Sequence, residues 1–420
     1  MPDQRTVPDQ GRAESAVPDQ PAFGRQLRAL RQQRGLSQAE LVGTALSTAY
    51  LSRLESGQRP PTTKVIKLLA ERLGVPTDAF AVAPPQGLGE VVAKAASAPR
   101  PEDAVPALRQ ALAEATAADA GSRWHALWLL AEIHTRRLER TEALAVLRRL
   151  VALGDDIGDP ELRVRARNRL ALCHRSLGEI PAAYAVAQQA LALADEQPVP
   201  ADDAARTLLT LISVEAELGR LPDARAHADD LRALTADRTG TLPVEALWTA
   251  ATVRIRQGDD AAALELLHQA LHRLDSHDDL VLWLRLRLAA ASLCLQMTPR
   301  QVEEAAARLD EVRPAVALVG TPLHNQEFLL LSAQLAYQQG RDEAAEAASA
   351  GLEPTEHLLT FRDRVRLHLL RNQLLLRRGE SATALANLRD LARQAHEAAN
   401  IDLAAEIWRT IAEAPHQPAP

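Results

Sequence analysis

Aromatic side chains make up only 3% of the 420 residues, and cysteine occurs just twice, at Cys173 and Cys294. Two thiols so far apart give no disulfide framework. Each sits in an apolar helical stretch, so both read as buried free thiols of a reducing cytosol. No apolar run reaches the roughly 18 residues of a membrane-spanning helix. The first residues hold no apolar stretch of the secretory kind. A cytoplasmic protein without membrane contact is expected. Signatures of chemistry are scarce too. There is no G-x-x-x-x-G-K-[ST], no G-x-S-x-G and no H-E-x-x-H, which removes the usual nucleotide, esterase and zinc-protease readings. His268 and His272 lie four apart on one helical stretch. Arg273 adjoins them, and a solvated face is the plainer reading than a metal site. Asp155-Asp156 and Asp259-Asp260 fall at helix ends, where carboxylates favour N-termini. No acid and base are paired, so neither an enzyme nor a cofactor is expected.

What the chain does hold is helix-forming residues. Ala, Leu, Glu and Arg dominate, and they favour helix almost everywhere. Hydrophobic content is 47% and charged content 25%, ordinary values for a globular protein. The length suggests two or three domains. The net charge of −7 conceals a division. Residues 21–75 carry nine Lys or Arg and three Asp or Glu, a balance of +6, which leaves −13 for the rest. A basic module on an acidic body is the asymmetry expected of a DNA-reading domain joined to a regulatory one.

The basic module is organised around Ser47 to Gly57. Ser47 can cap a short helix through its hydroxyl. Leu51 and Leu54 face one way, toward a small core, while Thr48, Ala49, Ser52 and Arg53 point outward. Gly57 ends the helix where a left-handed residue is cheap. Upstream, Phe23, Leu27 and Leu30 recur at helical spacing until Gly35. Ser37-Gln38-Ala39-Glu40 is a capping box that opens a second helix. Downstream, Pro60-Pro61 breaks the chain, Thr62 or Thr63 caps a fourth helix, Gly74 closes it, and Thr77-Asp78 starts a fifth short turn. Five short helices with the second and third tightly linked make a helix-turn-helix domain, and the Ser47 helix reads as the one for the major groove.

Residues 23–80 resemble the Xre/phage-repressor (Cro-like) helix-turn-helix family. The resemblance rests on Gly35-Leu36-Ser37-Gln38-Ala39-Glu40-Leu41, on Tyr50-Leu51-Ser52-Arg53-Leu54-Glu55-Ser56-Gly57 and on Arg59-Pro60. It implies sequence-specific binding to a double-stranded DNA operator as a homodimer. It implies that Thr48, Ala49, Ser52 and Arg53 face base edges, that Gln38, Tyr50 and Arg59 face phosphates, and that Arg31 pairs with Glu55. Ser47, at the helix start, is counted with the DNA-binding set. The chain departs from the family in the turn Val42 to Leu46, which is about one residue short and lacks the usual glycine; Gly43 stands in its place. For Arg53 the chemistry agrees, because its two parallel donors match guanine O6 and N7 and discriminate by about 1–3 kcal/mol.

From about residue 100 a repeat appears. Ala143, Ala183, Ala224, Ala263, Ala305, Ala345 and Ala384 are spaced by 39–42 residues. Small or aliphatic residues follow each at four and seven positions. Gly178, Gly219, Gly258, Gly340 and Gly379 precede five of them by five residues. The pattern resembles the tetratricopeptide repeat, with a longer period than the usual one. Helix pairs of this kind cannot bury their own apolar faces and must stack. An all-α fold is therefore expected: a small five-helix domain, then a right-handed α-solenoid.

The first helices of such pairs line a concave side. Trp124, Trp128, Arg163, Arg167, Asn168, Trp248, Trp283 and Asn325 fall there, with His125, Arg287 and Phe328. Amides pair with a peptide backbone and guanidinium groups with carboxylates, so these residues form a candidate groove for a peptide or small-molecule effector. The bland reading is that the tryptophans fill space between helices. The expected divisions are an arm at 1–20 containing Pro-Asp-Gln three times, the helix-turn-helix domain at 21–80, a linker at 81–100, the solenoid with a terminal capping helix at 101–414, and a tail at 415–420. The expected function is transcription regulation. The alternative is a scaffold whose solenoid docks protein partners and whose small domain does not bind DNA specifically.

Overall fold

The computed structural model describes residues 20, 22–43, 45–80, 87–115, 119–352 and 358–414, with the backbone alone at 22 and 78. Most of the N-terminal arm, Thr44, part of the linker and the C-terminal tail thus lie outside the described residues. All elements described are helices, and none is long and apolar enough to cross a membrane. The chain divides into two compact units, residues 1–94 and 95–420.

The first unit holds α1 (Ala22–Gln33), α2 (Gln38–Val42), α3 (Thr48–Glu55) and α4 (Thr63–Leu73), then a 3-10 turn at Thr77–Phe80. Its core is Phe23 and Leu27 from α1, Leu41 and Val42 from α2, Leu51 and Leu54 from α3, and Ile66, Leu69 and Leu73 from α4, closed by Phe80. The Phe23 and Phe80 rings lie 5.4 Å apart. Side-chain caps start three of the helices. Ser37 and Glu40 form the reciprocal box on α2, Ser47 Oγ accepts from the Tyr50 amide, and Thr62 Oγ1 accepts from Val65. Each satisfies an orphan N–H that would otherwise turn to water.

After α5 (Leu88–Ser97) and α6 (Val105–Glu114) the second unit runs as antiparallel helix pairs. The pairs are α7/α8 (Ala120–Arg136, Arg140–Ile157), α9/α10 (Pro160–Leu177, Ile180–Glu196), α11/α12 (Ala201–Glu217, Leu221–Thr235) and α13/α14 (Leu242–Arg256, Asp260–Arg273). They continue with α15/α16 (Leu280–Gln296, Val302–Val319), α17/α18 (Pro322–Gln338, Asp342–Gly351) and α19/α20 (Phe361–Arg377, Ser381–Glu397), and α21 (Ile401–Glu413) ends the stack. All seven repeat alanines sit in the second helix of a pair and are buried, as are the residues four and seven positions on. Where alanine meets a neighbouring helix there is little side chain to keep the backbones apart, which is why the period survives in so varied a sequence. Gly178, Gly219, Gly258, Gly340 and Gly379 all take left-handed φ between 73° and 87° at the turn inside a pair. Cys173 and Cys294 are buried free thiols, pushed up by burial to about 11 and about 12.

Within this unit the last helices reach back to the middle of the stack. Arg175 on α9 donates to Glu217 Oε1 on α11 at 2.9 and 2.7 Å, and Arg362 on α19 lies 3.6 Å from the same oxygen. Arg362 also donates to both oxygens of Asp402 on α21 at 2.9 and 2.6 Å, while Arg256 on α13 lies 3.1 Å from Asp402 Oδ2. Burial opposes the charge on Glu217 and Asp402, but the surrounding guanidinium groups outweigh it and hold both carboxyls below the usual range. Arg256, buried beside other cations, is pushed down to about 10.

Candidate nucleic-acid interface

The outer face of α3 is built by the clamp on its inner face. Leu51 and Leu54 are fully buried, so α3 cannot rotate without exposing them. Its C-terminal turn is then tied to α1. Arg31 Nε and Nη2 donate to the two oxygens of Glu55 at 2.6 and 3.0 Å, and Arg31 Nη1 donates to the Leu36 carbonyl at 2.7 Å. Burial pushes the Glu55 carboxyl up, but hydrogen bonds from Arg31 and Gln38 and the Arg31 charge outweigh it and hold it below the usual range. The hydrogen bond to Glu55 raises Arg31 in turn. A bidentate pair of this kind fixes orientation as well as distance.

With that face held, Thr48, Ala49, Ser52 and Arg53 are all exposed, and so is Ser47 at the cap. The Arg59 guanidinium lies 4.7 Å from the Tyr50 ring centroid, a cation–π contact at the edge of the helix. Gln38 is placed differently from a free surface amide: its Nε2 donates to Glu55 Oε2 at 2.8 Å, which makes it the third member of the α1–α3 clamp. Arg25, Arg28, Arg34, Lys64 and Lys67 are exposed around the same domain.

Three residues support this surface without any clear mark in the sequence. Gln20, assigned above to the arm, is part of the domain: its Nε2 donates to the carbonyls of Leu54 and Arg59 at 3.1 and 2.6 Å. Gly24 lets α1 approach α3, since a Cβ there would stand 2.3 Å from the Leu54 carbonyl oxygen. Arg72 donates to the Leu41 carbonyl at 2.8 Å and fills the space beside Gly43. A glycine between helical patterns and an arginine on an amphipathic helix are common enough to pass unnoticed.

The groove residues of the solenoid separate into two groups. Trp124 is buried and stacks on Trp128 with centroids 5.1 Å apart, and Arg169 covers Trp128. Beside them Arg163 and Arg167 both donate to Asp155, at 3.0 and 2.8 Å. Asn168 is buried and its amide donates to Thr207 Oγ1 at 2.9 Å. Trp124, Arg167 and Asn168 are buried; Arg167 and Asn168 each donate to a neighbouring helix, while Trp124 Nε1, Arg167 Nε and Asn168 Oδ1 have no hydrogen-bond partner among the described residues. The second group lies farther along. Arg287 sits 3.6 Å from the Trp283 centroid, and Arg285 covers Trp248 at 5.7 Å. Asn325 is exposed and donates to the Thr321 carbonyl of its own helix. Among the described residues, no cluster of three or more His, Cys, Asp or Glu is arranged for a metal.

The geometry defines a helix-turn-helix protein that carries an all-α, tetratricopeptide-like solenoid. Residues 22–82 match the family described as "Helix-turn-helix domain". The HTH-type transcriptional regulator PrpR of Mycobacterium tuberculosis is 47% identical over 58 residues, which are 14% of this chain. This chain spans only 12% of that relative's length. The Rap conjugation gene regulator of plasmid pLS20, in complex with the Phr* peptide, is similar in fold at 14% identity. The match covers 96% of this chain and 100% of that one, with a TM-score of 0.54. A Rap protein complexed with competence and sporulation factor is similar at 12% identity, covering 93% and 97% with a TM-score of 0.51. These two likenesses bear on the fold alone.

Proposed function

We propose that this chain is a transcription regulator of the Xre/Cro-like type, acting in the cytoplasm as a homodimer on a two-half-site operator. In this reading α3 enters the major groove. Thr48, Ala49, Ser52 and Arg53 meet base edges, while Ser47, Tyr50 and Arg59 meet phosphates. Gln38 stands at the boundary, steadying Glu55 and within reach of the backbone. The observation that carries the reading is α3 itself: a short helix with four outward side chains on one face and, on the other, two buried leucines and the Arg31–Glu55 pair. A structural helix on a small domain has no need of such a clamp. A base-reading helix does, because an error of about an ångström loses bidentate contacts. The positive charge of the domain supplies sequence-independent attraction.

The solenoid serves as sensor in this account. Of the two similar solenoid structures, one is in complex with the Phr* peptide and the other with competence and sporulation factor, and an extended peptide is the effector we assign. The ligand acts by binding one solenoid conformation better than another. Selection of duplexes from a random pool by the full chain tests the DNA half. Enrichment of a motif with two half-sites about 10 base pairs apart is expected. A pool that shows no sequence preference at moderate salt rules the reading out.

A further inference from the structure

A cavity opens between α15, α17, α19 and α21; α15 and α17 also carry Trp283 and Asn325, but other residues line it. It is small and partly open to solvent. That is room for a group the size of a terminal carboxylate, with the chain before it lying along the open side. Its lining is unusual for an anionic solenoid. Gln296, Gln334, Gln338 and Gln373 bring four primary amides from three successive first helices, and Arg300, Arg366 and Glu406 leave a balance of +1.

Arg366 is the key residue. Its Nη2 donates to Gln296 Oε1 at 2.7 Å. Its Nε is buried without a hydrogen-bond partner, and the nearest carboxylate, Glu406, stands 3.9 Å away. A buried guanidinium N–H left without an acceptor is costly, and natural sites of this kind have a purpose for it. The amides are in a similar state. Gln373 only grazes Thr410 at 3.5 Å, and Gln296 donates to Ser292 while its oxygen faces Arg366. Gln334 and Gln338, one helical turn apart on α17, line the cavity, and their side chains make no hydrogen bond to the protein among the described residues. Primary amides both donate and accept, which matches a peptide backbone, and a guanidinium matches a carboxylate.

Resting on the reading of the solenoid as a peptide sensor, we infer that this cavity receives the C-terminal end of the effector: Arg366 takes the terminal carboxylate, and the glutamines take the last backbone amides. Glu406 is then the internal stand-in that the ligand carboxylate displaces from Arg366. Glu406 and Asp402 lie one turn apart on α21, as Arg366 and Arg362 do on α19, so an occupant here is one helical turn from the ionic contacts that tie α19 and α21 to the middle of the stack.

The test presents the full-length chain, immobilised, with two pools of random octapeptides that differ only at the C-terminus, free acid in one and amide in the other. Retention is read by mass spectrometry. The acid pool is expected to be retained at least tenfold better, and Arg366→Gln to abolish the difference. Because Arg366 also holds Gln296, a second variant, Gln334→Ala on the cavity wall, is measured alongside. It is expected to weaken acid-pool retention several-fold with thermal stability unchanged. A competition arm separates a peptide end from any small carboxylate: N-acetylglycine should displace the pool at millimolar concentration and acetate should not. Equal retention of the two pools, or displacement by acetate, overturns the inference and leaves peptide sensing standing. Retention of neither pool overturns both.

Discussion

Gly43 and Arg53 are the two single positions on which most depends. Gly43 takes a φ of +49° at the end of α2, and a Cβ there would lie 2.7 Å from the Arg72 guanidinium. Gly43→Ala therefore adds backbone strain and displaces the donor that holds the Leu41 carbonyl. A loss of about 1–3 kcal/mol is expected, read by thermal unfolding, with α3 displaced as a consequence. The glycine was visible in the sequence as the substitute for the family's usual one, but its second reason was not, because Arg72 lies on another helix. Arg53 differs from Arg59 in kind. Arg59 rests against Tyr50, at the edge of the helix, whereas Arg53 extends freely. Arg59→Ala should weaken all duplexes alike and reduce the salt slope of binding by about 1. A selective loss on one sequence would show that Arg59 reads bases instead.

Helices in the solenoid were more legible than the contacts between distant ones. The recurring alanine and the turn glycine follow from local geometry, so they repeat in the sequence. Leu138 shows the limit. It stands five residues before Ala143, where five of the other six repeats have glycine, and takes the same left-handed turn with φ of +59°. The backbone keeps the motif that the residue type conceals. Trp124 and Asn168 show another: an aromatic or an amide on a first helix has the same signature whether it faces a neighbour or a cavity. The ties from α19 and α21 to α9, α11 and α13 could not be read at all, since Arg and Glu on amphipathic helices usually mean a solvated face. Their energetic weight is nevertheless testable. Arg362→Ala leaves Asp402 and Glu217 buried with fewer partners, and a loss of about 3–5 kcal/mol is expected in denaturant unfolding. The pH dependence follows from the sign of the shifts. Glu217 and Asp402 are held below their ordinary values, so their contribution is complete above about pH 4 and is lost as the pH falls through the lower folded values. The melting temperature should fall as the pH is lowered below about 4, and less steeply in Glu217→Gln. Equal slopes in the two proteins would mean that other carboxylates govern acid unfolding.

For the chain taken together, charge separates the tasks. A domain of +6 is attracted to phosphate while the remaining −13 is repelled, which confines contact to the small domain and makes affinity fall steeply with salt. On the proposed reading specificity comes from α3, and that is the claim most exposed to measurement. The direct test is the ratio of dissociation constants for the selected operator and for the same duplex scrambled, at one fixed salt concentration, with the full chain and with Arg53→Ala. The account predicts a wild-type ratio of at least about 1,000. It predicts that Arg53→Ala lowers the ratio by about 10- to 100-fold, almost wholly through the operator. A ratio near one for the wild-type chain, or one that Arg53→Ala leaves unchanged, contradicts it.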